Sequence, residues 1–128
     1  MLKIYDDQAE AFTRAARRDF EDRMAAHLRR FFPHEGRILG DAGLRDTIRH
    51  GVARAATYGV VSEHDVAWYL NLMMALGREF DADPLLPWAH AILTGAELPD
   101  APTRMARLYR TTIERTQVPV PGDDAYVE

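Results

Sequence analysis

The sequence predicts an all-α fold, a single-domain bundle of about five helices, and three observations predict it. Apolar residues recur three and four apart along most of the chain, no stretch alternates with period two, and Pro, Gly, Asp and Ser fall where helix ends are needed. The 128 residues carry no internal repeat and no compositional break. The expected organisation is one helical domain over 1–116 and a flexible, Pro-rich, acidic C-terminal tail over 117–128. A chain of this size buries roughly two-thirds of the surface its unfolded form exposes, enough for a core without staples.

The first helix is read from Phe12, Ala16, Phe20, Met24, Leu28 and Phe31, spaced by four or three. Asp6 or Asp7 is placed to cap its start. Pro33 biases Phe32 toward an extended backbone and so ends it. Arg14, Arg17, Arg18, Asp22 and Arg29 occupy the other face. Gly36, Gly40 and Gly43 then suggest a loop. A second helix carries Leu44, Ile48, Val52 and Ala55, with Gly51 inside it and Gly59 as its stop. Glycine there weakens the helix by about 1 kcal/mol relative to Ala, but it lets a neighbour come close.

Ser62 is the expected cap of a third helix, with Glu63 and Asp65 in the first turn facing its positive end. The run VAWYLNLMMAL that follows is apolar on nearly every side, broken by Asn71. Such a helix is central to a core or partly covered by a partner. Val66, Tyr69, Leu70, Met73, Gly77 and Phe80 have the better heptad spacing and are assigned to the core. Trp68, Leu72 and Ala75 form a second stripe, which becomes the expected partner-binding face, or the contact face of a homodimer.

FDADPLLPW, residues 80–88, comes next. Asp83 before Pro84 reads as an acidic cap with proline at the first helical position, and Pro87 still falls in the first turn. The fourth helix then uses Leu86, Trp88, Ala89, Ile92 and Leu93 and stops at Gly95, with Trp88 expected against helix three. Asp100 with Pro102 repeats the device. The last helix runs to about Thr116 with Met105, Leu108, Tyr109 and Thr112 inward.

Composition excludes several chemistries. The absence of cysteine removes disulfides, thiol catalysis and cysteine-ligated metals. A net charge of −4 argues against wholesale attraction to nucleic acid or anionic lipid. The N-terminal MLKIYDDQAEAF lacks the continuous apolar core of a signal peptide, and no stretch approaches the ~20 apolar residues of a membrane span, so a cytoplasmic protein is expected.

Asp81 and Asp83 could be a carboxylate pair for a divalent cation. A hard cation wants more oxygen ligands, and Leu85 and Leu86 stand where they would be needed. Capping by Asp83 and loop hydrogen bonds by Asp81 are the preferred roles. Ser62, His64 and Asp65 hold the letters of a hydrolase triad but share one helical turn, where near neighbours do not face each other. His27, His34, His50, His64 and His90 show no ligand spacing. Arg104, Arg107 and Arg110 form a short basic stripe without interleaved aromatics, a second choice of partner-binding face. No catalytic, metal-binding or cofactor-binding residue is assigned, and no cofactor is expected.

The Tyr58-Gly59 turn, the Leu72-Met73 helix and the run from Phe80 through Asp81, Asp83, Pro84 and Pro87 to Trp88 resemble a family of small bacterial proteins encoded beside type VI secretion spike and effector genes. The similarity covers about Ala11 to Leu93. It implies an adaptor or accessory chaperone that helps an effector, or the effector's own chaperone, reach the VgrG–PAAR spike through protein–protein binding. The competing expectation is an immunity protein that neutralises a cognate toxin.

Overall fold

The computed structural model describes the backbone of residues 3–95 and 97–121 and the side chains of 14–95 and 97–121. Five helices follow in order: α1 (Lys3–Phe31), α2 (Pro33–Thr57), α3 (Glu63–Leu76), α4 (Pro87–Thr94) and α5 (Ala101–Thr116), with a 3-10 turn at Phe80–Ala82. The described residues contain no strand. The all-α, single-domain bundle is the fold of this chain.

α1 is described from Lys3, so Asp6 and Asp7, expected as caps, stand within the helical backbone, and their side chains lie outside the described residues. Phe12, the first residue of the predicted stripe, has its side chain outside the described residues. The rest of the stripe is inward from Phe20 on, with Phe20, Met24 and Leu28 buried and Phe31 half-buried beside the buried Phe32, while Ala16 is exposed. Arg29 pairs with Asp41, and Glu21, further back on α1, pairs with Arg45 and Arg49, further on in α2. Those pairs run in opposite directions along the two helices, which makes α1 and α2 an antiparallel hairpin.

The expected glycine loop is largely helical. α2 starts at Pro33, and only Gly40 leaves helical geometry, at φ 71° and ψ 176°. That backbone is closed to side-chain-bearing residues. The glycine makes a kink between two helical pieces, where three glycines in eight residues suggest an open loop.

Gly51 does what close approach requires. A Cβ at this position would stand 2.3 Å from Leu70 Cδ2 and 2.6 Å from Met73 Sδ. α3 therefore packs directly on the α2 backbone. It starts where Ser62 Oγ accepts the Asp65 N–H at 3.2 Å. α5 starts where Asp100 accepts the Thr103 N–H at 3.0 Å.

α4 departs from expectation. Asp83 Oδ1 accepts the Leu85 N–H at 2.9 Å, closing an Asx turn, and the helix begins at Pro87 instead of Pro84. The residue before a proline is pushed out of helical geometry, so a helix from Pro84 could not pass Leu86. Leu86 indeed sits at φ −126°, ψ 57°. Trp88 lies beneath the Arg115 guanidinium of α5, 6.0 Å from its ring centroid, and packs on the core.

A polar chain crosses the apolar core. Asn71, fully buried, donates its amide N–H to the Tyr109 hydroxyl at 3.0 Å, so its Oδ1 is the acceptor toward His27 Nε2 at 2.8 Å. That assignment puts a proton on His27 Nε2. Tyr109 in turn donates to the Pro121 carbonyl. One buried amide thus ties α1, α3, α5 and the segment after α5 together. Val120 packs against the core, which holds residues 117–121 of the predicted flexible tail on the bundle. The tail's remainder, 122–128, lies outside the described residues.

Candidate protein-docking site

The stripe expected to bind a partner is turned inward. Leu72 has no exposed surface, and Trp68 and Ala75 are half-buried against the core. The Trp68 indole stacks on the Tyr109 ring at 4.3 Å and 13°. Most of the rival stripe is inward too: Val66, Tyr69, Leu70, Met73 and Phe80 are buried, and Gly77 is exposed. α2 packs on Leu70 and Met73 of α3, and α5 packs on Trp68 and Asn71, while Met74, Ala75 and Leu76 stay half-exposed. Periodicity identified two apolar stripes but could not count the neighbours.

FDADPLLPW is a latch. Phe80 is buried and touches the Tyr69 ring, at a 5.0 Å centroid distance. Asp81, expected in loop hydrogen bonds, is a fully buried carboxylate. Its Oδ2 accepts from Arg54 Nε at 2.9 Å, from Arg54 Nη2, and from the Tyr58 hydroxyl at 2.8 Å. His90 Nδ1 of α4 donates to the Asp81 carbonyl at 3.2 Å. Burial pushes the Asp81 carboxyl upward, but the hydrogen bonds from Tyr58 and Arg54 and the Arg54 charge outweigh it and hold it below the usual carboxylate range. Burial and the neighbouring carboxylate push the Tyr58 hydroxyl up to about 12. Burial first, then the Asp81 charge, raises Tyr69. The cluster joins α2 to the turn before α4. Asp83 turns the chain, and Pro84 is exposed.

Arg104 is also structural. Its Nη2 donates to the Tyr58 carbonyl at 2.8 Å, while Arg107 and Arg110 are exposed on α5. The stripe is therefore split between a tether and two solvated charges. Ser62 is occupied as a cap, and His64 and Asp65 contact each other at 3.2 Å as sequence neighbours.

An apolar groove does open on the bundle, where α1, α2 and the start of α3 meet. Phe20 and Val52 form its floor, flanked by Ala16, Val61 and Val66 on one side and by Ala53 and Ala56 on the other. Val61 is 75% exposed although it is a large aliphatic residue. It precedes the Ser62 cap and Val66 lies four residues beyond that cap, the two positions of a hydrophobic staple. Arg17, Glu21, Arg49 and Glu63 rim the groove, and Arg14 and Arg18 extend the rim past Arg17. Arg49 holds Glu21 through two bonds of 2.9 and 3.0 Å. The sequence offered one signal for this surface: two valines, Val60 and Val61, precede the cap, and only Val60 is buried.

Among the described residues no group of three or more His, Asp or Glu is placed to hold a metal ion, and no helix is long and apolar enough to cross a membrane. No family model, curated protein or solved structure matches the chain.

Proposed function

We propose that this protein is a non-enzymatic adaptor or accessory chaperone that works by protein–protein binding, and that its client is a type VI secretion effector on its way to the VgrG–PAAR spike. The observation that carries the binding role is the groove over Phe20 and Val52, whose wall residue Val61 is three-quarters exposed. Contiguous exposed apolar surface is where soluble proteins dock partners. The secretion role rests on the resemblance carried by Tyr58-Gly59, Leu72-Met73 and Phe80 to Trp88.

The test is export of the effector encoded beside the gene, in cells carrying wild type, a deletion, or Val61→Asp. Loss of secretion in both altered strains, with effector still made, supports the reading. Normal secretion from the deletion strain overturns it. Protection of a cell expressing the toxin domain, without any effect on export, would favour the immunity role instead.

A further inference from the structure

We infer that the groove between α1, α2 and α3 takes an acidic amphipathic helix: two or three apolar anchors in the groove, with Asp or Glu beside them on the Arg17 and Arg18 side. The inference rests on the docking reading above and names the partner's chemistry. Length comes first. Along α2 the groove runs from Ile48 to Ala56, about 12 Å at 1.5 Å per residue. That matches side chains at i, i+4 and i+7 of a docked helix, the usual anchor spacing of helix-in-groove recognition.

Charge decides the rest. The chain as a whole carries −4, yet this rim is basic. Arg17 and Arg18 are exposed and take part in no ion pair among the described residues. The acids nearby are engaged: Glu21 by Arg45 and Arg49, Asp19 and Glu63 by Arg23. A partner helix with basic flanks would meet two uncompensated arginines, whereas an acidic one would pair with them. Exposed pairs of this kind steer and select more than they bind, so affinity comes from the apolar anchors and preference from Arg17 and Arg18.

The experiment uses two labelled synthetic helical peptides with identical Leu anchors at i, i+4 and i+7, one flanked by Glu and one by Lys. Binding to the full chain is read by fluorescence anisotropy at low and moderate salt. The Glu peptide is expected to bind at least tenfold more tightly at low salt, with the gap narrowing as salt rises. Arg17→Glu with Arg18→Glu should reverse the preference, and Val61→Asp, at an exposed position, should remove binding of both while the chain keeps one cooperative melting transition, lowered by no more than the loss of one staple position. If the Lys peptide binds as well or better and Val61→Asp still removes it, the acidic-partner inference falls and the docking site stands. If neither peptide binds, or Val61→Asp changes nothing, both fall. Sedimentation of the chain alone completes the test: a dimer dispersed by Val61→Asp would give the groove to a second copy and overturn the inference.

Discussion

Asp81 and Arg54 face each other across 2.9 Å, a carboxylate with no exposed surface and a guanidinium that keeps about a third of its side chain in water. Removing one partner of a buried pair strands the other and typically costs 3–5 kcal/mol. The partial exposure of Arg54 lets water take over some of the lost interaction, so Asp81→Ala should cost about 3 kcal/mol, read from urea unfolding. Calcium, magnesium or EDTA should not move the melting temperature. A calcium-dependent rise would mean that Asp81 and Asp83 are ligands after all.

The same carboxylate sets an acid limit. Its folded value is depressed, with the hydrogen bonds from Tyr58 and Arg54 overcoming burial. The unfolded chain, with an ordinary Asp near 3.9, takes up the proton first as pH falls. Stability from this pair is therefore complete above that value and is lost as pH falls through the lower, folded one. The stability gap between wild type and Asp81→Asn should be constant from pH 7 to about 5 and close below 4. At the alkaline end, Tyr58 is raised to about 12. Its contribution should persist below the usual tyrosine value of about 10 and fade as pH climbs through 12, a loss that Tyr58→Phe would not show.

Leu72 separates core from interface. It is fully buried in the core, and Trp68, one turn earlier, stacks on Tyr109. Leu72→Ala should cost about 2–5 kcal/mol, and Leu72→Asp should abolish the cooperative melting transition. A folded Leu72→Asp with intact helical signal would return this stripe to the surface.

Much of the fold was written in local signals. The caps at Ser62 and Asp100, the end of α1 before Pro33 and the inward positions of α5 follow from rules that act within one helical turn. Signals that depend on tertiary partners were not legible. Trp68 read as surplus because Tyr109 of α5, 41 residues later, is what stacks on it, and Leu72, one turn on, is closed into the same core. Asp81 read as a loop acid because Arg54 is 27 residues away. The groove escaped notice because its floor, Phe20 and Val52, looks in sequence like any core stripe, and only the packed bundle shows Val61 left outside.

Gly51 tests how tightly two helices meet. Replacing glycine within a helix should gain up to about 1 kcal/mol from propensity, while overpacking a core costs typically 1–3 kcal/mol. The atoms a Cβ would strike, Leu70 Cδ2 and Met73 Sδ, belong to flexible side chains that are themselves buried. Gly51→Ala should therefore come out near neutral to mildly destabilising. Gly51→Val, which adds branching in the same place, should lose about 2 kcal/mol or more in urea unfolding. A stabilised Gly51→Val would show that α3 can move off α2 at little cost.

Asn71 is the polar centre of an otherwise apolar helix. Its amide joins His27 of α1 to Tyr109 of α5, and Tyr109 carries the chain of bonds on to the Pro121 carbonyl. Asn71→Leu keeps the branching and heavy-atom count, though its methyl groups are bulkier, and takes one bond from each of two groups deep in the core. A buried group that loses its partner costs about 1–3 kcal/mol, so the variant should lose about 2–4 kcal/mol despite its more apolar side chain. Tyr109→Phe breaks the same Asn71–Tyr109 bond and also releases Pro121, so it should speed proteolysis around residues 117–121 before the bundle itself unfolds. Because the three side chains form one network, the two substitutions together should cost less than their sum, by about 0.5 kcal/mol or more in a double-mutant cycle. Strict additivity, or an Asn71→Leu as stable as wild type, would mean that the amide is merely accommodated between α1 and α5 and does not hold them.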